Sequence, residues 1–142
     1  MMAVSRRRAA SYAQALHDMR VRGVLCDATL RLDDGASFRV HRAVLSASSS
    51  YFRALFTSAT NSTTKKDVAL HGINSTYMAS IVRYAYLQQL DIKEETVLEL
   101  LATADYLCID GIVEKCLAFA VENLKPENCI GVLKFARQVQ HE

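Results

Sequence analysis

Apolar and polar positions change their period along the chain, and these changes divide it into helices and strands. The first helical face is formed by three side chains: Tyr12, Leu16 and Met19. Gly23 offers a C-terminal stop, and Ser11 and Gln14 have the spacing of a capping box. We therefore predict an amphipathic helix that begins at Ser11, behind a flexible lead-in of residues 1–10. With no earlier core to pack on, its apolar face is a candidate partner surface.

The spacing changes to a period of two after residue 25. The alternating apolar positions are Cys26, Ala28, Leu30 and Leu32. This alternation is typical of a half-buried strand. Asp33-Asp34-Gly35 has the composition of a turn, and Phe38 and Val40 alternate after it. A β-hairpin is predicted.

A serine cluster interrupts the apolar stretch HRAVLSASSSYFRALF, residues 41–56. Serine competes for backbone hydrogen bonds, so it weakens helix interiors and favours caps. Ser48-Ser49-Ser50 therefore predicts a break between two short helices, with one serine capping the second. The stretch has no G-x-S-x-G elbow and no base adjacent to a serine, which argues against a catalytic serine.

The remaining pattern is mostly helical. Residues 57–66 are polar and loop-like, and short strands are predicted at Val68–Leu70 and Leu90–Ile92. Helices are predicted after Asn74, after Glu94-Glu95, from Ile109 to Leu124 and after Pro126. The predicted fold class is α+β in one domain, mostly helical with a small β-sheet on one side.

Composition and charge narrow the function classes. The net charge is +2, from 17 basic and 15 acidic residues, which is too balanced for a nucleic-acid binder. No apolar run reaches the roughly 18 residues of a membrane span. Four dispersed cysteines favour reduced thiols in the cytosol or nucleus, and four histidines without zinc-site spacing indicate no metal. Without a phosphate loop or a catalytic cluster, we expect an interaction protein rather than an enzyme, with no cofactor.

Six segments, taken together and in order, resemble the BTB (POZ) domain of kelch-like proteins. They are LCDATL (25–30), FRVHRAVL (38–45), SYFRALFT (50–57), YAY (84–86), LLATAD (100–105) and ENCI (127–130). The resemblance covers roughly residues 11–137. It implies a BTB domain over residues 11–124, and the start of a BACK region, the 3-box helix, over residues 125–142.

The resemblance also implies a function. Kelch-like BTB domains form homodimers through the N-terminal helix and recruit cullin-3 into an E3 ubiquitin ligase, while a C-terminal kelch propeller holds the substrate. This chain would then be the adaptor part of a longer protein, working in the cytoplasm and also in the nucleus. Two alternatives use the same fold: the dimerisation and corepressor-binding domain of a BTB zinc-finger repressor, and a tetramerising channel module.

The residues that the resemblance assigns fall into two groups. The expected dimer-interface residues are Tyr12, Leu16, Met19, Asp27 and Arg42, with Asp27 and Arg42 paired in a charged pocket. The expected cullin-binding residues are Phe56, Thr60, Asn61, Ser62, Tyr86, Ile130 and Leu133. The family's apolar-x-Glu motif would fall at 60–62, where both anchors are missing. We therefore expect cullin binding about tenfold weaker than with the motif.

Overall fold

The computed structural model describes residues 2–58, 67–127 and 129–140, with side chains for residues 11–58, 67–127, 129–134 and 137. The chain divides into two compact units, Met1–Leu90 and Asp91–Glu142. Each unit has its own set of elements. The first contains all the strands that the structure describes, and the second is helical.

Four helices and three strands are present in the described part of the first unit. In chain order they are α1 (Met2–Val21), β1 (Ala28–Leu32), β2 (Ser37–Val40), α2 (Arg42–Ser48), α3 (Ser50–Thr57), β3 (Asp67–Leu70) and α4 (Ser75–Leu87). The sheet has the order β2-β1-β3. β1 is antiparallel to β2 and parallel to β3, so that Leu30 lies between Phe38 and Val68. The predicted hairpin and the strand at Val68–Leu70 are confirmed.

The core of this unit lies on one face of the sheet, because alternate strand residues point the same way. Leu30 and Val40 are fully buried there. The helices contribute Phe52, Met78 and Val82, which are also fully buried. These five residues come from four elements, β1, β2, α3 and α4, so the apolar core joins the hairpin to the helices.

Ser49 separates α2 from α3, as the serine cluster predicts. Its extended backbone (φ −142°) ends α2, and its side chain accepts a hydrogen bond from the backbone N–H of Phe52 at 3.1 Å. Ser49 is only 1% exposed, so this bond satisfies a helix N–H that water does not reach. Asn74 caps α4 in the same way, from Thr76 at 2.8 Å.

The second unit contains three helices: α5 (Val97–Tyr106), α6 (Asp110–Glu122) and α7 (Cys129–Gln140). Leu101 and Ala104 of α5 are fully buried. Ile112 and Cys116 of α6 lie one helical turn apart and are also fully buried, which places one stripe of each helix in the core. Among the side chains of α7 that the structure describes, Val132 is buried.

Two predicted elements are wrong. Helix α1 begins at Met2, so Ser11 lies inside it and cannot be a cap. Residues 89–93 form no strand; they follow Gln88, whose left-handed backbone (φ +58°) ends α4. Two alternating apolar residues, Leu90 and Ile92, are too few to distinguish a strand from an irregular segment. Gly23 (φ +72°) follows the end of α1, as predicted.

Candidate protein-interaction surfaces

Asp27 and Arg42 form the predicted ion pair, and the carboxylate makes two contacts. The Arg42 guanidinium donates from Nε to Asp27 Oδ2 at 3.0 Å, and the Arg42 backbone N–H donates to Oδ1 at 2.8 Å. Arg42 is the first residue of α2, whose N-cap His41 makes no side-chain cap bond. Asp27 therefore supplies the cap from the segment before β1.

The electrostatics of Asp27 follow from these contacts. Desolvation alone would raise its pKa, but the hydrogen bonds from Arg42 outweigh it and hold the pKa of Asp27 below the ordinary 3.8. The side chains of Arg42 and Asp27 are 32% and 43% exposed. Asp27 lines an open cleft of about 470 Å³, whose other charged residues are Arg39 and Asp67. A charged cleft is present, and its place at a dimer interface stays a prediction.

Tyr86 connects α4 to His41, the residue between β2 and α2. Its hydroxyl accepts from the backbone N–H of His41 at 2.8 Å and lies 2.6 Å from His41 Nδ1. The other ring nitrogen, Nε2, donates to the carbonyl of Val24 at 2.9 Å. Since a carbonyl only accepts, Nε2 carries a hydrogen. His41 is thus a packed, hydrogen-bonded residue.

Two residues expected at a cullin surface are instead buried. Tyr86 is 3% exposed, and burial raises the pKa of its hydroxyl to about 12. Phe56 is 6% exposed and stacks on Phe52, with ring centroids 5.8 Å apart. Both side chains therefore belong to the core of this chain, and their contact with cullin-3 stays a prediction.

Helix α1 packs against α4 of its own unit and keeps part of its apolar face exposed. Leu16 and Met19 are partly buried, whereas Tyr12 is 70% exposed. Both ends of the expected dimer face therefore have accessible surface. Contact with a second chain stays a prediction.

The sequence pattern did not predict the apolar patch that lies at the end of α1. Val21 and Leu25 are 66% and 78% exposed, and Val24 between them is 43% exposed. Leu25 also has a left-handed backbone (φ +59°), which is unfavourable for a branched side chain. Three large apolar residues within five positions, next to Gly23, were the available signal. Such a patch, continuous with the Tyr12 helix, suits a protein contact.

Helix α7 presents two of its predicted contact residues. Ile130 is 65% exposed and Leu133 is 56% exposed, whereas Val132 between them is 2% exposed. The helix therefore turns Val132 inward and leaves an apolar outer face. Thr60, Asn61 and Ser62 lie outside the described residues.

Two kinds of feature are absent from the part of the chain that the structure describes. No group of three or more metal-ligating side chains comes together there. Among the same residues, no helix combines the length and the apolar character that crossing a membrane requires.

Comparison with known families identifies the domain. The family model described as "BTB/POZ domain" matches residues 16–124, which is most of the chain. This chain belongs to the BTB/POZ domain family. The BTB fold is also found by structure comparison: the BTB domain of zebrafish PATZ1 superposes with a TM-score of 0.73 and 27% identity, covering 82% of this chain and 94% of that one.

The BTB domain is similar in sequence to kelch-type proteins. It is 37% identical over 134 residues to Kelch repeat and BTB domain-containing protein 8 of Xenopus tropicalis, covering 94% of this chain. It is 36% identical over 125 residues to human Kelch-like protein 23, covering 88% of this chain. In both comparisons the chain spans 22% of the relative's length. The resemblance to kelch-like BTB domains is confirmed, and the boundaries at 11 and 125 stay predictions.

Proposed function

We propose that this BTB domain is the homodimeric adaptor part of a kelch-like ubiquitin ligase, and that it recruits cullin-3. The observation that carries the proposal is the 37% identity to a protein with kelch repeats over 134 residues, which covers 94% of the chain. The substrate would be held by a different domain of the full protein. An adaptor of this kind needs interaction surfaces rather than catalytic groups.

The outer face of α7 supports a cullin contact. Ile130 and Leu133 lie three residues apart, so they share one side of the helix, and both are more than half exposed. An apolar helical ridge suits contact with an extended apolar segment of a partner, and loss of one such anchor can cost ~2 kcal/mol or more. The acidic anchor missing from residues 60–62 makes these apolar contacts the more important ones.

The cysteines support a location in the cytoplasm or nucleus as part of this proposal. All four are free thiols, at positions 26, 108, 116 and 129. Burial raises the pKa of the Cys116 thiol to about 11, so that thiol stays protonated and packed. Reduced, unpaired cysteines are usual where glutathione and thioredoxin act.

Titration calorimetry with the N-terminal domain of cullin-3, including its N-terminal extension, tests the proposal. We expect a dissociation constant of ~10 μM or tighter for the unaltered chain. Ile130→Asp combined with Leu133→Asp should weaken binding at least ~10-fold. Val121→Asp is the matched control, because Val121 is equally exposed (56%) but lies on α6. The Val121→Asp chain should bind cullin-3 as tightly as the unaltered chain.

Two results would contradict the proposal. Absence of binding at ~100 μM by a folded, dimeric chain removes cullin-3 as the partner and leaves the corepressor-binding alternative. Equal weakening by the α7 variants and by Val121→Asp would show that α7 is not the contact.

A further inference from the structure

Helix α1 is held against α4 by an aromatic and cationic cluster, which we name the α1–α4 seam: His17, Arg20, Arg83 and Tyr86. The guanidinium carbon of Arg20 lies 5.3 Å from the centroid of the Tyr86 ring. The His17 ring meets the same tyrosine edge-on, with centroids 6.4 Å apart. Two side chains of α1, one turn apart, therefore share a single tyrosine of α4.

The contact between His17 and Arg20 depends on the protonation of the imidazole. An N–H of the Arg20 guanidinium lies 3.5 Å from His17 Nδ1. A guanidinium has only donors, so this contact is a hydrogen bond only with a neutral ring that carries its hydrogen on Nε2. A proton on Nδ1 would replace this long hydrogen bond by two cations facing each other.

Charges from the neighbouring elements do not offset such a proton. α1 packs on α4 and β2. On α1 itself, His17 faces Arg20 and Asp18, and the Asp18 carboxylate already accepts from Gln14 at 3.0 Å. From α4 it faces Arg83 and Tyr86, and β2 brings Arg39 to Gly23 at the end of α1. The balance of charge at His17 is cationic.

Arg20 makes the seam still less tolerant of a second charge. Its Nε–H is buried and has no hydrogen-bond partner in the part of the chain that the structure describes. A buried donor without an acceptor is costly in itself, and a buried charge without a partner more so. The seam therefore already contains a cation with one unsatisfied buried donor before His17 takes up a proton.

We propose that the α1–α4 seam is a pH-sensitive latch, in which α1 stays docked on α4 while His17 is neutral and loosens when His17 is protonated. Loosening would uncover Tyr86 and release the partly buried Leu16 and Met19 of α1. The latch is a property of one chain and does not depend on cullin binding.

The direction of the effect follows from proton linkage. Burial, followed by Arg20 and Arg83, lowers the pKa of His17 from 6.5, and Asp18 opposes this only in part. The released helix therefore binds a proton more readily than the docked helix. Docking is strongest above pH 6.5 and weakens as the pH falls through the pKa of docked His17. One proton changes the docking equilibrium by at most ~10-fold per pH unit.

Hydrogen exchange tests the latch in the full 142-residue chain. Protection factors of the α1 amides over residues 11–21, corrected for intrinsic exchange, are compared at about pH 7.5 and about pH 5.5. From about pH 7.5 to about pH 5.5, the protection factors of the wild-type α1 amides should fall ~2- to 10-fold. His17→Gln should keep high protection at both, and His17→Lys should have low protection at both.

His71 provides the matched control. It is an exposed histidine paired with Asp33 through Nδ1 at 2.7 Å, away from α1. His71→Gln should leave the pH dependence of α1 protection unchanged. A pH dependence that survives in His17→Gln, or its absence in the wild type, overturns the proposal.

A direct titration covers the case in which a variant fails to fold. The ring protons of His17 in the wild-type chain can be followed by NMR between about pH 8 and about pH 5. The latch requires a midpoint below 6.5, the ordinary value for His17. A midpoint at or above that value overturns it.

Discussion

Asp27 shows how one carboxylate can stabilise two parts of a fold. It accepts from the backbone N–H of the first residue of α2 and pairs with the guanidinium of that same residue, Arg42. The first role needs only an oxygen, whereas the second needs a negative charge. Substitutions of Asp27 can therefore separate the two contributions.

We expect Asp27→Ala to lower the free energy of unfolding by ~1–2 kcal/mol, because it removes both the cap and the ion pair. Asp27→Asn should cost less than ~1 kcal/mol, since an amide oxygen still accepts from the Arg42 backbone. Urea unfolding followed by circular dichroism measures both. Equal losses in the two variants would show that the charge, not the cap, is what matters.

The exposure of both side chains limits how much the ion pair between Arg42 and Asp27 can stabilise the fold. With side chains 32% and 43% exposed, a single chain has no fully buried charge to strand. A double-mutant cycle of Asp27→Asn with Arg42→Met should give a coupling of ~0.5–1 kcal/mol. A coupling of ~3 kcal/mol or more would mean that the pair is buried, as a dimer interface would make it.

Among the elements, α1 contacts α4 and β2 of its own unit and is the helix expected to meet a second chain. Its sequence pattern predicts the apolar face correctly, but not that the helix extends back to Met2. Leu16 and Met19 are partly buried, so aspartate at either position would disturb the chain itself as well as a partner. Tyr12, at 70% exposure, is the cleaner probe of dimerisation.

We expect Tyr12→Glu to convert a dimer into a folded monomer, because it puts a charge into an obligate interface of ~2,000 Å² or more. The combination of Leu16→Asp and Met19→Asp should give monomer or insoluble protein. Light scattering gives the mass, and circular dichroism confirms the fold. Tyr106→Glu is the control: that tyrosine is 60% exposed on α5, and its variant should keep the dimer mass.

The outcome that contradicts this prediction is a dimer mass for all these variants. In that case α1 would serve only its own unit, and the exposed patch at Val21 and Leu25 would need another explanation.

At the scale of the whole molecule, carboxylates couple stability to acid. The pKa of Asp33 lies below its ordinary 3.8 because the Gly72 N–H and the His71 ring bond to it. The pKa of Asp34 is lowered by Ser75 and by the Ala36 N–H. Asp27 is lowered as well. All three lowered pKa values mean that these carboxylates ionise more readily in the folded chain than in the unfolded chain.

We therefore expect the free energy of unfolding to fall as the pH drops below 3.8, the value these groups regain on unfolding. The unfolded chain binds more protons in that range, so acid favours it. Above about pH 5 the contribution should be complete. Urea unfolding at several pH values measures the slope.

Two variants identify which carboxylates cause the fall of the unfolding free energy with pH. Asp33→Asn with Asp34→Asn should flatten the fall, whereas Asp91→Asn, in the segment after α4, should leave it unchanged. A wild-type slope in the first variant would mean that other groups cause the acid sensitivity.

Local features of this fold were predictable, and distant ones were not. The hairpin and the Asn74 cap each depend on a few neighbouring residues. Which serine caps α3 needed the backbone angle of Ser49. The Asp27 cap joins residues 15 apart, and the Tyr86 bond joins residues 45 apart, so no local pattern contains either.

The residues of the candidate surfaces also divide into those whose exposure the sequence predicts and those whose burial it does not. Exposure of Tyr12, Ile130 and Leu133 agrees with the family resemblance. Burial of Tyr86 does not, because a tyrosine's amphipathic side chain suits an interface and a hydrogen-bonded core equally well. The hydrogen bonds between the Tyr86 hydroxyl and His41 are what place this tyrosine in the core.

The parallel pairing of β1 with β3 has a consequence for synthesis on the ribosome. β1 and β2 emerge together and can form a hairpin at once, but Leu30 must wait for Val68. Until then one side of β1 is an open strand edge beside apolar residues, the kind of surface that nascent chains use to aggregate. A stalled or truncated product that ends before Asp67 would keep that edge open, so it should be a chaperone client rather than a partly working adaptor.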